Sequence, residues 1–197
     1  MNETEGKRHL WWQWTIGTGV GYGVSMWLDQ SALFLVGPVL IGVGQWIVIR
    51  QHFSRAGSWL IVTPVGFLIG VSFGGVLGGF LQDVMDGIAS SPAGIASLEP
   101  GRSALALLVA SAIAGAFIGI LLGGTQWLVL RRQARQPGLW LLANVGSFAF
   151  ATALNTIRLI PLGADGLVVG AFTGLALTRC LRESARAGPA AVTSSAT

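Results

Sequence analysis

Residues 45–67 read QWIVIRQHFSRAGSWLIVTPVGF, and residues 126–148 read QWLVLRRQARQPGLWLLANVGSF. The two stretches align without a gap at an offset of 81 positions and share eight identical residues among 23. Each copy comprises the end of one apolar segment, a short basic turn and the start of the next apolar segment. A joint of this kind, present twice, predicts helical hairpins that are repeated within a membrane.

Composition favours the same class of protein. Hydrophobic residues make up 52% of the 197 residues and charged residues only 10%, whereas soluble domains carry about 25% charged residues. A bilayer solvates such a surface, but every backbone N–H and C=O inside it must be bonded internally, which favours helices. The apolar segments are longer than the strands of membrane barrels and do not alternate. The sequence therefore predicts an all-α membrane protein.

Six apolar segments reach the length of roughly 17–25 residues that a spanning helix needs. We expect them to form one membrane domain over residues 11–181, which follows a cytoplasmic segment of residues 1–10 and precedes a small, polar, disordered tail of residues 182–197. The loop of residues 82–102 is rich in Ser, Gly and Pro, which predicts a flexible or re-entrant connector. The six predicted transmembrane segments are 11–28, 32–49, 58–81, 103–130, 139–160 and 162–181.

Lysines and arginines predict the orientation of these segments. Ten of the 12 lie on the side of the two termini, and only Arg102 and Arg158 lie on the other. Basic residues in short loops stay in the cytoplasm, so the N and C termini are both expected to be cytoplasmic. The net charge of +4 is accordingly a signal of topology. No nucleic-acid motif accompanies it, so nucleic acid is not an expected partner.

Two weaker copies of the joint complete the pattern. In the last apolar segment Arg179 takes the place of Arg50 and Arg131, although the Gln-Trp pair is missing there. Residues 10–14, LWWQW, resemble the helix entry at Trp59. We therefore expect three hairpin repeats in the same orientation, in a pseudo-threefold arrangement. Transporters often contain internal repeats with a binding site at the repeat interface.

Tryptophan and arginine residues of the joint are expected at the membrane edge. Trp46 and Arg50 are four residues apart, as are Trp127 and Arg131, so each pair lies on one helix face. The guanidinium can stack on the indole or extend past it to lipid phosphate. We interpret these four residues as interfacial anchors. The same role is predicted for the two entry tryptophans, Trp59 and Trp140.

Anchoring does not explain Gln45 and Gln126. Each lies about a turn and a half inside the membrane, where an amide left unpaired costs about 1–3 kcal/mol. Two interpretations are open: a polar ligand-binding site formed by two hairpins, and a clamp between helices, which is the simpler one. Asn144 lies about two turns into the fifth segment and is expected to bond a neighbouring helix rather than a substrate.

Glycines form stripes with a spacing of four residues in three of the segments. Faces of small residues let helices approach closely in lipid. Close packing within one bundle is the simplest interpretation. Oligomerisation, and a groove for a flat apolar ligand such as a lipid, quinone or pigment, are the alternatives. The stripes are Gly66, Gly70, Gly74 and Gly78, then Gly115, Gly119 and Gly123, and finally Gly166, Gly170 and Gly174.

A second polar cluster is expected on the non-cytoplasmic side. Asp83 and Asp86 lie three residues apart after the third segment, and Asn155 and Arg158 lie three apart near the end of the fifth. An ionisable group within the membrane is a candidate for ligand binding by default. An ion pair between Arg158 and one of the aspartates is the simpler interpretation.

The sequence contains no pattern typical of catalysis. His9 and His52 are expected on edge turns, and there is no Ser/His/Asp arrangement, phosphate loop or buried carboxylate pair. The single Cys180 cannot form an internal disulfide, and no Cys/His spacing indicates a metal. We expect a protein without enzymatic activity, and the sequence identifies no cofactor.

Residues Gly119–Arg131 read Gly-x-x-x-Gly-x-x-Gln-Trp-Leu-Val-Leu-Arg. This pattern resembles a group of bacterial multi-pass membrane proteins for which no activity can be named. The resemblance implies a bacterial inner-membrane location and internal repeats only, and the sixth segment departs from it by lacking Gln-Trp. At the level of fold alone, six spans and this size are also similar to the substrate-binding membrane subunits of energy-coupling-factor vitamin transporters.

The leading hypothesis is a non-catalytic inner-membrane protein that binds an apolar ligand or a membrane partner through glycine-lined helix faces. The membrane partner includes a second copy of the chain, and the lipid bilayer is a partner in any case. The alternative is a small transporter or channel subunit, which requires a polar path from Gln45 and Gln126 to Asp83 and Arg158.

Overall fold

Six helices account for most of the residues that the computed structural model describes, which are 3–27, 30–53, 56–89, 100–134, 136–161 and 163–186. One 3₁₀ turn, Ala56–Ser58, precedes the third helix, and no strand occurs within the described ranges. The predicted all-α class is therefore confirmed. The helices are α1 (Glu3–Trp27), α2 (Gln30–Ile49), α3 (Trp59–Ala89), α4 (Pro100–Leu130), α5 (Pro137–Thr156) and α6 (Asp165–Arg186).

The helices pack side by side in chain order and form a closed ring. Each helix contacts the next, and α6 returns to contact α1. Successive helices run antiparallel, as shown for α3 and α4 by the contacts of Gly66 with Thr125 and of Gly74 with Ala114. The turns after α2 and α4, the start of α1 and the end of α6 therefore lie at one end of the bundle, termed the joint end. The opposite end, where α5 leads into α6, is termed the far end.

The outer surface of the ring is that of a membrane protein. Among the described residues, three helical segments are long and apolar enough to cross a bilayer. Large apolar side chains point outward all around them, and Ile61, Phe73 and Leu142 are each more than 60% exposed. A fourth apolar stretch, Val36–Ile49 of α2, is shorter. The three segments are Ala56–Gly87, Ala104–Leu130 and Pro137–Thr156.

Several helices extend beyond the limits that hydrophobicity predicts. α1 begins at Glu3 rather than residue 11, and α6 continues to Arg186, into the predicted disordered tail. Residues 82–89 and 100–102 of the predicted flexible loop are helical as well, whereas 90–99 and 187–197 lie outside the described residues. Apolar composition marks where a helix contacts lipid. Intrahelical hydrogen bonds extend the helix beyond its apolar part, so the apolar composition underestimates the length of the helix.

The connection from α5 to α6 comes earlier than predicted. α5 ends at Thr156, before the expected end at residue 160, and α6 begins at Asp165. Arg158 has a φ of 53° and Gly163 a φ of 88°. A residue in the left-handed region cannot continue a right-handed helix. Arg158 is therefore part of the turn and not of a membrane-embedded helix.

Two clusters of buried side chains fill the ring. The joint-end cluster is built on three tryptophans, and the far-end cluster on Tyr22 and Phe148. A layer of buried polar side chains lies between them along the helices. Prominent members of the joint-end cluster are Trp14, Ile49, Trp59, Leu130, Trp140 and Leu177. The far-end cluster comprises Tyr22, Ile41, Leu122, Phe148, Ala151 and Val169.

Candidate functional site

Three tryptophans, Trp14 of α1, Trp59 of α3 and Trp140 of α5, meet inside the joint end of the ring. Their ring centroids are 5.5–6.1 Å apart, and every pair is edge-to-face. Each side chain is at most 1% exposed. Such pairs stabilise a fold by about 0.5–1.5 kcal/mol beyond the area they bury. This tryptophan triangle fills the interior of the joint end.

The burial of Trp59 and Trp140 corrects their assignment as interfacial anchors. Inside the ring each indole packs against another aromatic ring and donates a hydrogen bond to a fixed acceptor. At the membrane edge neither partner would have a fixed position. Trp46 and Trp127 differ from them because they are only half-buried. Their rings pair with arginine, since the Cζ atoms of Arg50 and Arg131 lie 5.3 and 5.2 Å from the indole centroids of Trp46 and Trp127, respectively.

Each of these two buried indoles donates a hydrogen bond to a glutamine of the preceding helix. Trp59 Nε1 lies 2.9 Å from Gln45 Oε1, and Trp140 Nε1 lies 3.1 Å from Gln126 Oε1. The separation along the chain is 14 residues in both cases. The basic turn between the two helices therefore brings the two ends of each pair together.

A third pair of the same kind joins the last helix to the first. Trp14 Nε1 donates to Thr173 Oγ1 at 2.9 Å, and the hydroxyl of Thr173 donates to the carbonyl oxygen of Val169 at 2.7 Å. Alignment on Arg179 predicts Gly174 as the α6 counterpart of the glutamines. The actual acceptor lies one residue earlier, because the rotation of α6 is set by packing and not by the arginine at its end.

Gln45 and Gln126 meet each other in the polar layer, as their repetition in the sequence suggested. Gln126 Nε2 lies 3.3 Å from Gln45 Oε1 and 2.9 Å from Thr63 Oγ1, and Gln45 Nε2 lies 3.4 Å from Thr18 Oγ1. Both glutamines are at most 5% exposed. Their amide nitrogens and oxygens all have partners within the protein. The geometry is that of a clamp across α1, α2, α3 and α4.

Asn144 belongs to the same layer but not to the same hydrogen-bond network. It lies four residues after Trp140, as Thr63 lies four residues after Trp59, and it is 2% exposed. Its Nδ2 donates to the carbonyl oxygen of Trp140 at 3.0 Å. The predicted bond to a neighbouring helix is therefore replaced by a bond within α5. A small residue opposite, Gly123, lets α4 pack closely on the Asn144 side chain.

The glycine stripes pack against neighbouring helices within the ring. A Cβ atom on Gly119 would lie 2.6 Å from the backbone oxygen of Asn144, and one on Gly170 would lie 3.0 Å from the Cα of Thr15. The stripes thus bring α3 close to α4, α4 close to α5, and α6 close to α1. Gly78 has a looser contact, 3.4 Å from Ala114. Tight contacts also occur at Gly66, Gly70, Gly74, Gly115, Gly123, Gly166 and Gly174.

A cavity of about 280 Å³ lies between the polar layer and the far end, and residues of all six helices line it. Its walls are mostly apolar, and the ring of Tyr22 packs on Phe67 and Phe148 with centroids 5.7 and 6.5 Å apart. Asp165 also lines the cavity. The hydroxyl of Tyr22 and the Oδ1 atom of Asp165 are buried without a hydrogen-bond partner among the described residues. Two residues of the cavity lining therefore each contribute a buried polar atom whose hydrogen-bonding capacity is unused by the described residues.

Sequence reasoning missed Tyr22 and Asp165 as site residues. One signal was present, because Tyr22 is the only tyrosine of the chain and lies eight residues after Trp14. Phe67 lies eight residues after Trp59, so the two aromatic residues occupy matching places on α1 and α3. A hydroxyl in an otherwise apolar aromatic position marks the cavity. Asp165 is expected from the sequence at a non-cytoplasmic turn, but nothing in the sequence marks it as a residue that faces the interior.

The predicted far-end cluster does not contribute to the cavity. Asp83, Asp86 and Arg158 are exposed, and none of them lines the cavity wall. Asn155 lines a separate cleft of about 520 Å³ between α3, α4 and α5. Asp83 and Asp86 are exposed although they lie in the last turns of the apolar segment Ala56–Gly87, and Arg158 lies in a turn, so these side chains are outside the ring. Their pairing stays a prediction.

No protein-family model, curated protein or solved structure matches the chain. The interior of the bundle has three distinct parts: the closed tryptophan triangle, the fully bonded glutamine clamp, and the cavity with two polar atoms that lack partners among the described residues.

Proposed function

We propose that the protein is a non-catalytic membrane protein that binds one small, largely apolar molecule in the cavity. The observation that carries the proposal is the burial of Tyr22 hydroxyl and Asp165 Oδ1 beside apolar walls, without partners among the described residues. Each unpaired buried polar group costs about 1–3 kcal/mol. A ligand with a polar end restores these hydrogen bonds, so its binding is favoured over a cavity filled only with apolar material.

The cavity defines the chemical class of this ligand. At about 280 Å³ it lies just below the range of about 300–1,000 Å³ that is common for small-molecule sites. The ligand is therefore compact, such as a single ring system, and not a long acyl chain. A carboxylate oxygen accepts, so an alcohol or amine on the ligand donates to Asp165. The Tyr22 hydroxyl both donates and accepts.

The glycine faces do not serve as the binding surface in this proposal. Their close contacts with neighbouring helices occupy them, as at Gly119 and Gly170. The transport alternative gains no support from the interior either. Trp14, Trp59 and Trp140 fill the joint end, and the amides of Gln45 and Gln126 bond other protein groups. A path through the bundle would require these side chains to separate.

Six membrane spans with cytoplasmic termini belong to the same proposal. α1 has 25 residues and α6 has 22, which at about 1.5 Å per residue exceeds the hydrocarbon core of roughly 30 Å. Two kinds of residue lower their hydrophobicity: buried polar residues that face the ring, as Thr18 and Thr173 do, and exposed charged residues at the joint end, such as Arg8 and Arg179. Their outer faces are apolar and suit lipid. Exposed side chains on α1 are Trp12, Ile16, Val20 and Val24, and on α6 Leu167, Phe172 and Leu175.

We also propose that three helix pairs, α2–α3, α4–α5 and α6–α1, are related by a pseudo-threefold axis. The three indole hydrogen bonds support this symmetry, with Thr173 in the place of a glutamine. The layers that follow each tryptophan support it as well. Four residues on are Thr18, Thr63 and Asn144, and eight residues on are Tyr22, Phe67 and Phe148. Tyr22 is thus the one polar substitution in an aromatic layer.

Mass spectrometry of molecules that co-purify with the protein in lipid nanodiscs tests the proposed binding function. We expect the wild-type protein to retain a compact molecule that carries an alcohol or amine. Tyr22→Phe and Asp165→Asn are expected to lower its retention about tenfold each, the effect of about 1.4 kcal/mol. Phenylalanine is structurally acceptable at position 22, since Phe67 and Phe148 occupy the matching places.

Asp83→Asn is the matched control, because it removes an exposed carboxylate near the same end of the bundle. It should leave the retained molecule unchanged. Equal retention of the same molecule by all variants would mean that it does not bind Tyr22 and Asp165. A content no higher than that of empty nanodiscs would mean that the cavity holds no specific ligand. Either result would make the proposal wrong.

A further inference from the structure

We infer a second binding site, on the outside of the ring, where a groove between α1 and α2 holds an anionic phospholipid. The groove has a volume of about 960 Å³ and extends from Glu5 and Arg8 at the joint end to Val24. The residues that line the groove and those that line the cavity have no member in common. The inference is therefore independent of the proposed ligand of the cavity.

Glycines at the crossing of the two helices create this groove. A Cβ atom on Gly44 would lie 2.6 Å from the backbone oxygen of Gly17, and one on Gly21 would lie 2.8 Å from the Cα of Ile41. The backbones therefore touch at these points. Because no side chain projects there, a channel remains on the outer surface between the flanking apolar side chains.

The walls of the groove match an acyl chain. Ile16, Val20 and Val24 of α1 face Val43 and Ile47 of α2 across it. Arg8 and Val24 are 16 positions apart, which is about 24 Å along the helix at 1.5 Å per residue. One leaflet contributes about 15 Å of hydrocarbon. The groove is thus long enough to take one chain of a phospholipid with its headgroup at the joint end.

Charged side chains at the mouth select the headgroup. Arg8, His9 and Arg50 line the joint-end mouth, against Glu5 as the acidic residue of the lining. Arg8 and Arg50 are both exposed, so their guanidinium groups are accessible to a phosphate. Two arginines against one glutamate leave an excess of positive charge. An anionic headgroup such as phosphatidylglycerol complements it, whereas zwitterionic phosphatidylethanolamine does so only in part.

The second joint offers matched controls for both halves of the site. Arg131 is exposed and lies over Trp127 at 5.2 Å, just as Arg50 lies over Trp46 at 5.3 Å, but it is not part of the groove. Val65 on the outer face of α3 is 45% exposed, compared with 57% for Val20.

Native mass spectrometry of the protein released from nanodiscs of equal phosphatidylglycerol and phosphatidylethanolamine content tests the site. We expect wild-type protein to retain phosphatidylglycerol preferentially. Arg50→Gln should lower its occupancy about fivefold, which corresponds to about 1 kcal/mol for one basic residue at an anionic lipid surface. Arg131→Gln should leave it unchanged. Val20→Trp fills the groove and should lower retention of both lipids, whereas Val65→Trp should not.

Three results would overturn the inference. Equal losses in Arg50→Gln and Arg131→Gln would mean that general surface charge attracts the lipid. Unchanged retention in Val20→Trp would place the acyl chain elsewhere. Complete displacement of the lipid by inorganic phosphate would identify the mouth as a site for a free anion. Thermal unfolding of each variant checks that the exposed substitutions leave the bundle folded.

Discussion

The indole nitrogen of Trp59 lies 2.9 Å from the side-chain oxygen of Gln45, across the basic turn that joins α2 to α3. The same relationship recurs 81 residues later in the chain as Trp140 and Gln126. A buried indole N–H and a buried amide each cost free energy unless they are hydrogen-bonded. Their pairing explains why the two residue types are repeated together, which anchoring at the membrane edge does not.

The glutamine clamp is expected to stabilise the bundle. Gln126→Leu removes the acceptor of Trp140 and the donor to Thr63, which leaves buried groups unpaired at about 1–3 kcal/mol each. We expect the free energy of unfolding, measured by denaturant titration in detergent micelles, to fall by on the order of 3 kcal/mol. Gln82→Leu, at an exposed position, should change it by less than about 0.5 kcal/mol. Similar values for both variants would contradict a structural role of the clamp.

The glycine contact between α4 and α5 is expected to tolerate no side chain. A Cβ atom on Gly119 would lie 2.6–2.8 Å from backbone atoms of Asn144 and Val145. Gly119→Ala should therefore destabilise the protein by about 1–3 kcal/mol, as overpacking does. At Gly124 no atom lies within 4 Å of the added Cβ, so Gly124→Ala should be neutral or stabilising by up to about 1 kcal/mol. A reversed order in thermal unfolding would show that the two helices pack differently.

Tyr22→Phe is expected to stabilise the protein once co-purifying molecules have been removed. The substitution deletes a buried hydroxyl without a partner among the described residues, which relieves a cost of about 1–3 kcal/mol. Addition of the ligand should reverse the order, because binding stabilises the folded state in proportion to affinity. Thermal unfolding of stripped and loaded protein measures both effects. A destabilised stripped variant would mean that the hydroxyl is already bonded.

The orientation of the bundle is open to cysteine labelling. In a Cys180→Ser background, Arg132→Cys lies at the joint end and Leu159→Cys at the far end, and both positions are exposed. A membrane-impermeant maleimide added to intact cells should label position 159 but not 132, and should label both after lysis. Labelling of position 132 in intact cells would contradict cytoplasmic termini. The mass shift of the purified protein gives the extent of labelling.

The repeated stretch predicted where the helices of the joint end stop, but not that Trp59 and Trp140 are buried inside the ring. The end of α2 at Ile49 and of α4 at Leu130 agrees with the predicted segments, because the change from apolar to basic residues is a local signal. Trp59 and Trp140 look the same in the sequence as tryptophans at a membrane edge. Whether an indole faces lipid or the ring depends on the rotation of its helix, which neighbouring helices determine.

The cavity is the part of the candidate site that the sequence indicated least, because its one signal was the position of the single tyrosine, Tyr22. Tyr22 and Asp165 are far apart in the chain, and they line the same cavity only because α6 packs on α1. Asp83, Asp86 and Arg158 were predicted to form a polar cluster because they are charged residues near apolar segments. Asp83 and Asp86 lie on the outside of α3 and Arg158 lies in a turn, so their side chains are exposed.

The sequence by itself determined that this is a helical membrane protein with a joint that occurs twice, because composition and apolar length act locally along the chain. It also singled out Gln45 and Gln126, since an amide in an apolar segment requires a partner. The tertiary structure alone decided which groups became those partners, that Thr173 of α6 accepts from Trp14, and that a cavity remains at Tyr22. These outcomes depend on ring closure and on helix rotation, which arise from contacts between residues distant in the chain.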